Sequence, residues 1–245
     1  MADSLKIALI TGANKGIGFE IARQLGAKGI TVLTGARDRA RGDEAARRLQ
    51  SEGIQATAVH LDVTDEATIK AAVTFIESTY GKLDILVNNA GISLTEGRVP
   101  PSELDLEVFR KTYETNVFGL FAVTRAMLPL LRLSDAGRIV NLSSPMGSLT
   151  LTSDPHSIYA QMPPLLAYRS SKTAVNAITV FFANEFRQTH IKVNAVSPGY
   201  VATDLNDHQG FLTPQQGATL PVTFATLPVD GPTGRFVEGD EEVPW

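Results

Sequence analysis

Tyr168-Arg169-Ser170-Ser171-Lys172 places a phenol and an ammonium four positions apart. On a helix that spacing puts both side chains on one face, one turn from each other. A phenol has a reference pKa near 10 and exchanges protons poorly at neutral pH. A neighbouring ammonium favours phenolate and draws the pKa toward the working range of an acid or base catalyst. By itself Tyr-x-x-x-Lys also describes an ordinary surface pair on a helix. It gains force from a glycine-rich turn far upstream, Thr11-Gly12-Ala13-Asn14-Lys15-Gly16-Ile17-Gly18. Glycines there permit a tight turn and let main-chain N–H groups approach a pyrophosphate at a helix N-terminus. The spacing is G-x-x-x-G-x-G and not the commoner G-x-G-x-x-G. A glycine-rich turn with no ligand is the plain alternative.

Those residues need a frame, and the hydrophobic pattern provides one. Short apolar runs (6–11, 31–36, 55–61, 83–88, 138–142 and 192–196) alternate with amphipathic stretches (16–28, 39–51, 65–79, 116–131 and 168–188). Strands alternating with helices imply parallel pairing through right-handed crossovers. Ser102 is a candidate cap for the helix before Asn116, Thr213-Pro214 opens a last helix, and Gly234 to Val237 reads as a short final strand. With no linker, repeat or low-complexity segment, residues 1–245 read as one doubly wound α/β domain. The least regular stretch, 145–167, holds Pro145, Pro155, Pro163 and Pro164 and reads as an insertion without a continuous element.

Composition narrows the classes. The 245 residues are 43% hydrophobic with a net charge of −4 and no long block of one sign, which argues against nucleic-acid or membrane-surface partners. There is no cysteine, so disulfides, thiolate metal sites and a cysteine nucleophile are excluded. The four histidines, 60, 156, 190 and 208, lack metal-ligand spacing, and no metal is expected. Met1-Ala2-Asp3-Ser4 leads into a strand-like run without a charged-then-apolar leader, and no run is long enough to span a bilayer. The expected location is cytoplasmic.

Cofactor choice turns on the end of the second strand, where Arg37 precedes Asp38. An acid there suits the ribose hydroxyls of NAD, an arginine the 2′-phosphate of NADP. Both are present. Lys15, a second cation within the turn, favours NADP(H), with Asp38 read as a cap for the Arg39 helix.

Taken together, Thr11-Gly12-x-x-x-Gly16-x-Gly18, Asn88-Asn89-Ala90-Gly91, Asn116, Asn141-x-Ser143-Ser144, Tyr168-x-x-x-Lys172 and Pro198-Gly199 resemble the short-chain dehydrogenase/reductase family over nearly the whole chain. Within it the chain looks most like NADPH-dependent carbonyl reductases, on Gly12 to Gly18, Ala36-Arg37-Asp38 and Gly231-Pro232-Thr233-Gly234-Arg235-Phe236. The resemblance implies a Rossmann-type fold and a catalytic set. Tyr168 would donate the proton to the carbonyl oxygen. Lys172 would bind the nicotinamide ribose and lower the Tyr168 pKa, Ser144 would hold the substrate oxygen, and Asn116 would fix a relay water. It further implies that Gly12, Asn14, Lys15, Gly16, Ile17, Gly18 and Arg37 hold the phosphates, and that Asp62 and Val63 meet the adenine. Asn89, Ala90 and Gly91 would line the ribose, with Pro198, Gly199, Val201 and Thr203 at the carboxamide. A helix cap is the plain alternative for Asp62, and Thr203 reads equally as a cap for the following turn.

Two features depart from the family pattern. Ser144 and Tyr168 stand 24 positions apart, about twice the usual spacing, and Ser143 competes with Ser144. Tyr159 is no rival to Tyr168, since Pro163 stands where its lysine would be. The apolar residues of the insertion (Met146, Leu149, Leu151, Ile158, Met162, Leu165 and Leu166) suggest a pocket for hydrophobic aldehydes, ketones or quinones. Alternatively they pack the loop onto the domain or cover a subunit face. Alternatives for the whole chain are an NAD-linked alcohol or polyol dehydrogenase and a non-catalytic NADP(H) sensor. A homo-oligomer, dimer or tetramer, is expected through the helices carrying Asn116 and Tyr168, with a monomer the alternative.

Overall fold

The computed structural model describes residues 5–245; the start at Met1 to Ser4 lies outside the described residues. Strands β1 (Ile7–Thr11), β2 (Thr31–Ala36), β3 (Ala56–His60), β4 (Ile85–Asn88), β5 (Arg138–Leu142), β6 (Lys192–Ser197), β7 (Phe236–Glu238) and β8 (Glu241–Glu242) form one sheet, ordered β3-β2-β1-β4-β5-β6-β7-β8. Every pairing is parallel except β7 with β8, which the apolar runs did not announce because both β8 residues are exposed glutamates. β1, β2, β4 and β5 are buried along their whole length, as parallel strands covered on both faces must be.

The helices are α1 (Gly16–Gly26), α2 (Arg39–Ser51), α3 (Glu66–Tyr80), α4 (Leu106–Tyr113), α5 (Leu120–Leu131), α6 (Leu149–Ser153), α7 (Ile158–Gln161), α8 (Leu166–Glu185) and α9 (Pro214–Ala225). They cover two cores. One gathers Ile10, Ile21, Leu25, Leu49 and Val222, the other Leu9, Ile76, Leu86, Met127 and Phe182. The strand order reverses direction between β1 and β4, and such a switch point leaves a crevice at the strands' carboxyl ends. No helix among the described residues is long and apolar enough to cross a membrane.

Local signals explain most boundaries. Thr213 and Gln216 form a capping box with Pro214 at the first position of α9, as expected. Asp38 caps α2, and Asp65 caps α3. One cap differs from expectation. Ser102 lies in a 3-10 turn, Pro101–Glu103, and Asp105 caps α4 by accepting from Glu107 N at 2.8 Å. Leu104 is extended after that turn, so the helix can only begin beyond it. Asn116 also differs in setting. It lies not in an ordinary helix but in a π-helical segment, Glu114–Gly119, joining α4 to α5. A side chain at Gly119 would meet Val63 Cγ2 at 2.8 Å, so glycine lets the start of α5 close on that loop. In the insertion, Pro145–Gly147 forms a 3-10 turn, and α6 and α7 are single-turn pieces capped by Ser148 and Ser157. The prolines prevent anything longer. α8 ends at Glu185, three residues before the expected Gln188.

Candidate active site

The glycine turn follows β1 at the switch point. Gly12 and Gly16 have φ of +64° and +57°, a region L side chains rarely occupy. A Cβ on Gly18 would stand 2.4 Å from Asn89 Nδ2 and 2.6 Å from the Gly12 oxygen. Asn89 is what makes this space tight, because its amide donates to the main-chain oxygens of Thr11 (2.8 Å) and Gly12 (3.1 Å). Thr11 Oγ1 accepts from the N–H groups of Asn89 and Ala90 at 3.0 and 2.9 Å. Asn89 therefore braces the turn from β4. The N-terminus of α1 has no side-chain cap and no acid in its first turn, so its N–H groups remain available to an anion.

Around it stand the groups expected to choose the cofactor. Arg37 is exposed at the end of β2. Asp38 is committed to its own helix, accepting from Arg41 N at 3.1 Å. Lys15 is ion-paired with Asp204, which also meets His208 at 2.9 Å and whose pKa Lys15, then His208, holds below the usual value. Asn14, Lys15, Arg41, Glu44, Arg48 and Asp204 line a cleft of 310 Å³. A phosphate entering there would share Lys15 with Asp204.

Asp62 is not a helix cap, since Asp65 fills that position. Its Oδ1 accepts from Thr64 N (2.9 Å) and Thr64 Oγ1 (2.8 Å), and the residue stays partly exposed. Val63 is buried against Gly119. In the loop after β6, Gly199 has φ of +80°. Val201 turns inward, its side chain filling the space beside Gly217. Thr203 forms a capping box with Asn206, and its methyl lies 3.7 Å from where a Cβ on Gly16 would be. This loop and the glycine turn thus face each other.

The catalytic candidates meet where α8 passes the ends of β4 and β5. Of the two serines, Ser143 is buried and donates to Asn176 Oδ1 at 2.6 Å. Ser144 is the one beside the Tyr168 phenol, and its Oγ accepts from Met146 N at 3.3 Å. Burial of the phenol pushes its pKa up to about 12, with Ser144 opposing the rise. Lys172 is also buried and has no carboxylate partner among the described residues. Its Nζ donates to the Leu142 oxygen at 2.8 Å, and desolvation lowers its pKa to about 8. The depression of the Tyr168 pKa expected from Lys172 is not seen: burial raises the pKa, and the opposing contribution comes from Ser144. Asn116 uses its whole amide: Oδ1 accepts from Ile92 N (2.8 Å), and Nδ2 donates to Ile92 O (2.9 Å) and Ser171 Oγ (3.0 Å). Gly91 sits beside both, since a Cβ there would lie 3.4 Å from Asn116 Oδ1 and 3.8 Å from Lys172 Nζ.

The family's sequence profile, described as short chain dehydrogenase, matches residues 6–210. This chain belongs to the short-chain dehydrogenase family. It is 36% identical to (-)-isopiperitenone reductase of Mentha piperita, with 98% of each chain covered. It is 35% identical to carbonyl reductase [NADPH] 1 of Rattus norvegicus, with 100% of each covered. The structure of NADPH-bound carbonyl reductase from chicken fatty liver superposes with a TM-score of 0.84 at 26% identity, covering 98% of this chain and 99% of that one. Membership makes the protein an oxidoreductase and accounts for the sheet order and the position of the glycine turn.

Some contributors carried no sequence signal of their own. Ser171 ties Asn116 to α8 and donates to the main-chain oxygen of Tyr168 at 2.6 Å; its place inside Tyr-x-x-x-Lys was the only hint. Asp204 pairs with Lys15 across 189 positions, which no local pattern can show. The insertion also differs from a simple pocket wall. Met146, Leu149 and Leu166 line a cleft of 510 Å³ with Tyr113, Ala174 and Ala177, on the face of α8 opposite Tyr168. Leu151 packs on Ala195, Phe236 and Val243, while Ile158 and Met162 are exposed.

Proposed function

We propose that the protein reduces the carbonyl group of hydrophobic aldehydes, ketones or quinones to alcohols with NADPH. The observation that carries this reading is the meeting of Tyr168, Ser144 and Lys172 beside an uncapped α1 N-terminus with Lys15 and Arg37 at its outer end. The residues fit a dinucleotide: the N-terminus of α1 carries no side-chain cap, and the Asn89 brace leaves Gly18 no room for a side chain. The nicotinamide supplies hydride to the carbonyl carbon when bound. Ser144 orients the substrate oxygen toward Tyr168, and the Tyr168 O–H delivers its proton to that oxygen as the C–H bond forms. The phenolate left behind is stabilised by Ser144 and by the Lys172 ammonium. Because the Asn116 amide is fully engaged, the relay water falls to its main-chain oxygen in the π-helical segment, from which protons return through Lys172.

A phenol held at about 12 keeps its proton at neutral pH, the protonation state that a donor in reduction requires. Asp38 is committed to capping α2, which favours Arg37, and so NADP(H), over an NAD-linked dehydrogenase. Carbonyl reduction is supported by the relative named carbonyl reductase [NADPH] 1. Exposed aromatic rings on the loop after β6, Tyr200 and Phe211 with centroids 5.8 Å apart, add apolar surface at the same edge of the sheet. The test is nicotinamide absorbance with a hydrophobic ketone and a quinone, NADPH and NADH in parallel. Oxidation of NADPH well ahead of NADH supports the reading. Oxidation of NADH alone, or of neither despite binding, overturns it.

A further inference from the structure

Glu238, near the end of β7, lies between two segments that the proposed reaction must hold in register. On one side, Ser197 Oγ donates to Glu238 Oε1 at 2.6 Å and accepts from Gly199 N at 3.3 Å. Ser197 is buried, so this contact reaches the first residues of the loop assigned to the carboxamide. On the other side, burial and then the nearness of this same carboxylate hold the Tyr159 hydroxyl of α7 above its usual pKa. A carboxylate only accepts, and hydroxyls from two separate segments suit it. The Tyr159 main-chain oxygen in turn receives Arg169 Nη2, and Arg169 is the neighbour of Tyr168. The same edge of the sheet holds the insertion a second time. Trp245 stacks on Phe236, with centroids 5.6 Å apart, and its main-chain oxygen accepts from Thr150 Oγ1 of α6 at 2.7 Å.

Nothing in the backbone pairing of β7 requires these side-chain contacts. β7 is held to β6 and β8 by its own ladder. The chain Gly199–Ser197–Glu238–Tyr159 therefore does something the sheet does not: it links the insertion to the loop after β6.

We propose that Glu238 is a positioning residue, whose carboxylate fixes the insertion relative to the Pro198 to Thr203 loop and so sets the room left for substrate beside Tyr168. This rests on the carbonyl-reductase reading for its kinetic consequence, and not for the mechanical one. Glu238 touches no reacting atom. Its effect falls on substrates large enough to reach the insertion, because displacement of a bound group by about 1 Å costs up to roughly 100-fold in rate.

Glu238→Ala, Glu238→Gln and Tyr159→Phe test it, with kcat/KM measured for a bulky aromatic ketone and a small aliphatic aldehyde at saturating NADPH. Hydrogen exchange of residues 148–161 and of the Gly199 amide is measured alongside. Glu238→Ala and Tyr159→Phe should each lower the ketone-to-aldehyde ratio of kcat/KM by about tenfold. They should also speed exchange in the insertion. The double variant should be no worse than Glu238→Ala, because both changes break one chain. Glu238→Gln keeps an acceptor for Ser197 and should recover most of the ratio. Equal losses on both substrates, or an exchange pattern like that of the wild type in Tyr159→Phe, overturns the proposal. If the wild type reduces neither compound, the functional reading fails by itself, and the exchange data still decide whether Glu238 links the two segments.

Discussion

Lys172 Nζ stands 5.7 Å from the centre of the Tyr168 ring and donates to the main-chain oxygen of Leu142 at 2.8 Å. The ammonium is buried against a neutral carbonyl with no acid beside it. Fold stability would be better served by an apolar side chain here, and the charge makes sense only as chemistry.

Replacing Lys172 by methionine should therefore separate stability from function. With a folded-state pKa of about 8, below the ordinary value of 10.5, the unfolded chain binds more protons between those two values. Stability then rises with pH across that window, and below pH 8 the whole penalty, about 3 kcal/mol, is present. Lys172→Met removes it, less about 1–3 kcal/mol for leaving the Leu142 oxygen unpaired. The variant should be inactive, with a thermal midpoint at pH 7 equal to or above that of the wild type. That relative advantage should shrink steadily from pH 8 to 10.5. A difference independent of pH would contradict the burial account.

Arg37 and Asp38 should behave oppositely despite being neighbours. Arg37→Ala should raise the KM for NADPH about tenfold, the lower range for a charge-assisted hydrogen bond at an exposed site, and leave NADH unaffected. Asp38→Ala should leave cofactor preference alone and cost about 1 kcal/mol of stability through the lost cap. Steady-state kinetics with both cofactors and denaturant titration distinguish the two effects.

Much of the frame was legible because buried parallel strands read as apolar runs and three of the helices carry Asp38, Asp65 or Thr213-Pro214 at their starts. Ser102 reads as the cap of this helix, but the prolines place it within a 3-10 turn, and the cap falls to Asp105. β8 was invisible because a two-residue edge strand of glutamates has no hydrophobic period. At the site, the glycine turn and the Tyr168–Lys172 pair showed in local spacing. The brace of Asn89 on Thr11 and Gly12, the pairing of Lys15 with Asp204 and the π-helical setting of Asn116 depend on contacts between distant segments, which spacing does not encode.

A long apolar strip on α5, α8 and the segment before them makes a prediction about assembly. Phe118, Phe121 and Phe181 are 55%, 44% and 75% exposed, and the insertion leaves them uncovered. An exposed patch of that kind marks an interaction surface. Light scattering should give a mass at least twice that of one chain, and Phe181→Glu should shift it toward the monomer. A monomeric wild type would show that these rings are simply solvated.

The most direct test is Tyr168→Phe, measured by NADPH oxidation with a hydrophobic ketone beside NADPH binding by fluorescence. Loss of a positioned general acid costs about 10²–10⁴-fold, so kcat should fall by that factor. The dissociation constant for NADPH and the thermal midpoint should stay close to those of the wild type, because only one oxygen is removed. A variant that keeps a rate within a few-fold of the wild type would contradict Tyr168 as the proton donor, and with it the mechanism built on this helix.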